Sequence, residues 1–269
     1  MKNGIFVLIL PLLCLLSSST LAMGEPSRPP TLLELQRKAE AELNSMDRDM
    51  AQAARSLSAT GLLGRETSRI LQKIYDDHPS AVDVATIDLK GRLLLIEPEK
   101  YKSSEGESIA DQPHFITLKN TEKPVMSKIF KTVEGFYAVS LAHPILSAEG
   151  KPIGFISMVF QPDALIRNIV KPTEVSGLTL EVLAIQKDGR IVYDKDVLQV
   201  GKMTFTDPAY QDHPSLLKLA QIITREASGL GIYEYPAQYG REPLKKEAEW
   251  DTVSLHGTEW RLILSRVIE

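Results

Sequence analysis

The histidines are the first place to look for side-chain chemistry. There are five, at positions 78, 114, 143, 213 and 256. None stands in an H-x-x-x-H or H-x-H pair, the spacings that bring two imidazoles to one side of a helix or strand, so no metal site is expected. The single cysteine, Cys14, lies in the N-terminal apolar run. The rest of the chain therefore has no thiol nucleophile, thiolate ligand or disulfide. No G-x-S-x-G, P-loop or G-x-G-x-x-G occurs, and Gly229-Leu230-Gly231 lacks the third glycine of a dinucleotide turn. Acidic residues are spread at ordinary surface density, with no pair set apart for acid–base work. A Ser/His/Asp triad needs no adjacency in sequence and stays open. The expectation is a binding protein, not an enzyme, with no cofactor.

The N-terminus carries a targeting pattern. Lys2 precedes an apolar run over residues 5–16, and Thr20-Leu21-Ala22 fits a small-x-small cleavage site. Residues 1–22 read as a cleaved signal peptide and the protein as periplasmic or secreted. An uncleaved anchor is the other reading, although the run is short beside the roughly 20 residues of a bilayer span. The net charge is −4, with 31 basic and 35 acidic residues and no basic block. Nucleic acid is accordingly not an expected partner. No second apolar span and no output domain is expected after the last strand-like run.

The elements follow from pattern. Thr31 and Glu34 form a capping box ahead of a helix over residues 32–57. Its apolar stripe (Leu32, Leu35, Ala39, Leu43, Met46, Met50, Ala53, Leu57) steps by 3 and 4. The stripe reads as a face laid on the chain's own sheets, with part of it left for a homodimer. A second helix spans 65–77. Strand-like runs at 82–88 and 92–98 meet at Lys90-Gly91, and Asp111 is placed to cap a short helix over 113–118. A strand at 124–130 leads into a hairpin, residues 135–160, that is apolar on both faces and turns at Glu149-Gly150. A connecting helix follows at 163–170.

After Gly177 the pattern repeats. IDLKGRLL at 87–94 answers IQKDGRIV at 185–192, an offset of 98. A helix at 215–227 is closed by Gly229 and Gly231. A strand at 232–235, a polar loop at 237–247 and a last pair of strands turning at His256-Gly257 complete the second half. The expected fold is α+β: two tandem domains (79–160 and 177–269), each a five-stranded antiparallel sheet. Helices at 31–78 span them and a connector at 161–176 joins them.

The order and spacing of VATIDLKGRL, SIADQPHF, PVMSKIF and EGFYAVSLAHPILSAEGKPIGFISMVF, with a shorter second copy, resemble the double Cache modules. These are PAS-like extracellular sensor domains. The resemblance covers residues 31–269. It implies a small-molecule pocket in the first domain, between the sheet and the short helix, and a reduced pocket in the second. The family's amino-acid-binding branch carries an Arg on the short helix and an Asp on the last strand. Here the helix region reads DQPHFITLKN and the strand position is Val159, so an α-amino acid is not the expected ligand.

For such a pocket the candidate ligand-binding residues are Tyr101 in the loop, His114 opening the short helix, Met126 and Lys128 on one strand face, Tyr137 and His143 on one hairpin face, and Ser157 on the paired strand. A helix N-terminus favours anions, and such a lining suits a small carboxylate or a partly apolar solute. Each has an ordinary alternative: Tyr137 as core, His143 as a satisfied structural group, Lys128 as a solvated cation. The implied function is an exported sensor that binds a small molecule and signals by conformational change to a membrane-bound receptor or kinase. The alternative is a scaffold protein with a vestigial pocket.

Overall fold

The computed structural model describes residues 30–132, 135–170, 180–235 and 244–268. The signal peptide at 1–22 and residues 171–176 of the connector lie outside them. Helix α1 (Leu32–Thr60) begins at the expected box: the Thr31 amide donates to Glu34 Oε2 at 2.9 Å, and the Glu34 amide to Thr31 Oγ1 at 3.2 Å. Its 29 residues make a rod about 43 Å long. Helix α2 (Arg65–Asp77) folds back beside it.

The first sheet joins β1 (Ala81–Ile87), β2 (Leu93–Glu97), β3 (Val125–Met126), β4 (Phe130–Lys131), β5 (Tyr137–Leu146) and β6 (Pro152–Phe160). Its order is β2-β1-β6-β5-β3, with β4 also on β5. Helix α3 (Pro113–Thr121) lies between β2 and β3 in sequence, and α4 (Pro162–Val170) leaves the sheet. The second sheet joins β7 (Leu180–Gln186), β8 (Ile191–Tyr193), β9 (Gly229–Tyr235), β10 (Leu244–Leu255) and β11 (Thr258–Val267) in the order β8-β7-β11-β10-β9. Helices α5 (Pro208–Gln211) and α6 (Pro214–Arg225) precede β9. Strand for strand the two orders are the same, which is the architectural content of the internal repeat.

The apolar stripe of α1 is wholly buried and belongs to one core with β5, β6, α4 and the second sheet. The first half of the rod meets the second sheet, where Gln36 Nε2 donates to the Thr252 carbonyl at 2.9 Å. The last half meets the first sheet, where Ser58 Oγ donates to the Leu146 carbonyl at 2.5 Å. The stripe is thus covered within the chain, and a second copy would have to use another face of α1.

Three elements depart from the sequence reading. The single strand expected at 124–130 is two, so the first sheet has six strands. Met126 pairs with Leu141 but Phe130 with Ala138, so the edge strand carries one residue more than its partner, a β-bulge. Side chains take over the ladder there: Ser140 N donates to Ser127 Oγ at 2.9 Å, and Ile129 N to Gln186 Oε1 at 2.7 Å. Strand β10 begins at Leu244, inside the expected polar loop. Glu247 and Glu249 alternate with the inward Ala248 and Trp250, and Lys246, a charged residue buried on the inward parity, hid the alternation. Gly229 and Gly231, read as helix closers, are strand residues. A Cβ would stand 2.3 Å from the Trp250 ring at one and 2.4 Å from Leu219 at the other, so glycine is what lets both side chains lie on β9.

Candidate ligand pocket and interdomain junction

Period two sorts the first sheet into faces. Val139, Leu141, Ile145, Ile156, Met158 and Phe160 point into the core beneath α1. Ile87, Ala142 and Phe155 point to the opposite face, where α3 covers them with Phe115 and Leu118. Phe115 and Phe155 meet edge to face with centroids 5.5 Å apart. The space between short helix and sheet centre is therefore filled by apolar packing.

A cavity of about 630 Å³ opens beside this packing. One wall is the N-terminal part of α3 (Gln112, Pro113, His114, Thr117), and another is the bulged edge from Val125 to Phe130. The third wall comes from the second half of the chain: His256, Gly257 and Thr258 at the β10–β11 turn. Thr258 Oγ1 donates to the Met126 carbonyl at 2.5 Å and docks that turn on the bulge. Helix α3 starts from Gln112, which gives no side-chain cap. Asp111, expected to cap, lies one residue too early. In the equivalent place of the second half Asp207 does cap, accepting from Ala209 N at 2.9 Å.

Of the seven candidate residues, His114, Met126 and Lys128 line this cavity. The His114 ring stacks on Phe130 at 5.8 Å, and burial lowers its pKa to about 4, so it is a neutral hydrogen-bonding group at pH 7. The Lys128 side chain is 74% exposed and sits 3.6 Å from Asp188 across the junction. The other four lie elsewhere. Tyr101 is in a 3₁₀ turn with the Lys100 ammonium 4.8 Å from its ring centroid. Ser157 is buried in a 2.8 Å hydrogen bond with Ser140. Tyr137 and His143 fall on the α1 side by the parity of β5. Tyr137 lies against Gly201 of the second half, and His143 is held by Asp47 of α1. Of the residues that sequence reasoning missed, Thr117 lies on α3 beyond His114, while Ser127 and the His256–Thr258 turn come from the bulge and from the distant hairpin. Neither the bulge nor the hairpin leaves a periodic signal.

The junction has a polar centre. Asp47 stands midway along α1, and its Oδ1 contacts His143 Nε2 at 2.7 Å and His256 Nε2 at 2.5 Å. Burial raises the Asp47 carboxyl, but the two imidazole hydrogen bonds outweigh it and hold the group below its ordinary value. Burial lowers His143, and the contact with Asp47 only partly offsets this.

Two sheets of this order, tied by one long helix with a cavity on the first, define a tandem Cache-type sensor module. Residues 41–162 match the model of the HK/GC/chemotaxis protein-like sensor domain. An extracellular ligand binding receptor from Desulfohalobium retbaense DSM5692 is 32% identical over 87% of this chain, with a TM-score of 0.73; this chain spans 39% of that one. The ligand-binding domain of the Pseudomonas aeruginosa PAO1 amino acid chemoreceptor PctB, solved with L-Gln, aligns over 87% of this chain and 89% of its own at 14% identity and a TM-score of 0.61. The periplasmic sensory domain of the Campylobacter jejuni chemoreceptor Tlp1 aligns over 87% and 92% at 14% identity and a TM-score of 0.59. At such identities these two share the fold. No curated protein sequence matches the chain. Among the described residues no helix is long and apolar enough to cross a membrane.

Proposed function

We propose that the protein is an extracytoplasmic small-molecule sensor, without catalytic activity, whose ligand occupies the cavity between α3, the bulged strand and the β10–β11 turn. The observation that supports this reading best is the composition of the cavity wall, which joins residues 112–130 to residues 256–258. A ligand there touches both sheets at once, so its binding energy depends on how they are docked. A ligand shifts a conformational equilibrium only by such a difference in affinity between states. The shift then passes along α1 to a membrane-bound receptor or kinase.

The lining favours a small solute with an apolar body against Val125, Met126 and Phe130, and one polar end. A carboxylate suits the uncapped first turn of α3, where helix amides face outward and the dipole favours negative charge. An α-amino acid, the class bound by PctB, fits less well, since neither an Arg on α3 nor an acid at Val159 is present.

The test is a thermal-shift screen of small carboxylates against the purified chain and Thr117→Trp, an exposed position whose indole fills the cavity mouth. A carboxylate should raise the melting temperature of the wild type by several degrees and leave the variant unmoved. No hit, or equal shifts in both proteins, would sink the reading. The filled space under α3, with Phe115 against Phe155, favours a second reading, a scaffold that captures a partner without a ligand. Partner capture from envelope extracts that ignores added metabolites would support it.

A further inference from the structure

We propose that Asp47, His143 and His256 form a binding site for a divalent transition-metal ion of the zinc class at the junction of α1 with the two sheets. This goes beyond the ligand-sensing reading and does not depend on it. The carboxylate oxygen and two imidazole nitrogens all lie within 4.8 Å of one another. Both histidines present the same atom, Nε2, to the same oxygen, Oδ1. Their rings are 81° apart with centroids 5.8 Å apart, so the nitrogens converge on the carboxylate and do not stack past it. Two imidazoles and one carboxylate are a common three-ligand set for zinc, with water completing the tetrahedron.

The site is made by the fold alone. His143 and His256 stand 96 and 209 residues from Asp47, so no local spacing could reveal them. Zinc ligands in a tetrahedron stand about 3.3 Å apart at bond lengths of about 2.0 Å. The present 2.5 and 2.7 Å contacts need to open by less than an ångström, and the two Nε2 atoms, no more than 4.8 Å apart, need to close by at most about 1.5 Å. In the present contacts Nε2–H of each ring donates to the Asp47 carboxylate; when Nε2 becomes a ligand a neutral imidazole carries that proton on Nδ1 instead, so a proton moves between ring nitrogens and none need be lost. Water and ions have two approaches: His143 lines a cavity of about 370 Å³ beside Arg55 and Ser58, and His256 lines the cavity described above. Arg55 is the nearby charge that opposes a cation, and the Asp47 carboxylate offsets it.

The experiment is calorimetric titration of zinc chloride into tag-free, chelator-washed full chain, repeated with His143→Gln and His256→Asn. His256 has φ 47°, a region that Asn tolerates, and it sits on a surface turn, so the second variant keeps the fold. One equivalent of zinc should bind the wild type. Each variant should weaken binding at least about tenfold, the lower end of the loss that even outer-shell changes cause at metal sites. Cobalt(II) should give a visible ligand-field band with the wild type that His256→Asn abolishes. Absence of stoichiometric zinc binding by the wild type would overturn the proposal, as would wild-type affinity retained by His256→Asn.

Discussion

The two sheets share one strand order yet use the face away from α1 differently. In the first, α3 presses Phe115 and Leu118 onto Ile87, Ala142 and Phe155 until the face is filled. In the second, α6 lays Leu219 and Ile223 over Ile185 and Ile263 and leaves an apolar space of about 80 Å³, with Asp194 at its edge. Burial raises the Asp194 carboxyl, partly opposed by the hydrogen bond from the Asp196 amide. The roomier cavity lies at neither centre. It lies where parts that do not repeat meet: the bulge after Met126 and the β10–β11 turn, which docks on that bulge through Thr258 and on α1 through His256. The repeat supplies a framework, and its irregularities supply the cavity.

Substituting the helix residue that covers each sheet tests this contrast most severely. Phe115 is 1% exposed and edge-packed on Phe155. Phe115→Ala should cost about 3–5 kcal/mol of unfolding free energy, from lost transfer energy and an uncollapsed cavity. Leu219→Ala should cost about 2–3 kcal/mol, the low end for buried leucine, because Leu219 already borders empty space. Urea denaturation of both variants measures the pair. A smaller loss for Phe115→Ala than for Leu219→Ala would contradict the filled-versus-open distinction.

The joint between the halves comes next in size. Gly201 has φ 84°, and a Cβ there would fall 2.0 Å from the Tyr137 ring. Gly201→Ala combines a left-handed backbone penalty with overpacking of a ring, so it should cost about 2–4 kcal/mol. Gly150, at φ 77° in the β5–β6 turn, has nothing within 4 Å of its would-be Cβ. Gly150→Ala should show the backbone part alone, about 1–2 kcal/mol. Equal losses in the two denaturation curves would mean that Tyr137 does not press on the joint.

These positions show how much was legible in the sequence. Hairpins, the cap of α1 and its stripe were readable because each is encoded within a few residues: the capping box, the Gly91, Gly150 and Gly189 turns, the 3–4 stepping. The repeat showed two copies of one element succession along the chain, but the spatial order of the strands came only with the fold. What was not readable depends on partners distant in sequence. Tyr137 and His143 share a face by period two, but only docking on α1 says that this face is not the one under α3. The bulge after Met126 is set by Ser140 and Gln186, neither of which marks it in advance. The glycines of β9 looked like punctuation because the side chains they accommodate lie elsewhere in the chain, Trp250 for Gly229 and Leu219 for Gly231.

The smallest effect concerns the cavity wall and its pH dependence. Burial lowers His114 from 6.5 to about 4 in the folded chain. Between those values the unfolded chain binds the extra proton, so this group's stabilisation is complete above pH 6.5 and is lost as pH falls towards 4. The other titratable groups on that wall are Lys128 and His256. At pH 5 the loss would approach about 2 kcal/mol from 1.36 kcal/mol per pKa unit, and the partial exposure of the ring trims it to about 1 kcal/mol. His114→Gln carries no titrating proton and keeps a polar end against the cavity. The stability difference between wild type and His114→Gln, from urea midpoints at pH 7 and pH 5, should therefore move by about 1 kcal/mol against the wild type at the lower pH. A difference that stays constant across that range would show that the α3 wall is solvated. The cavity would then be an open notch, and the distinction between the dry sheet face and its wet edge would fail.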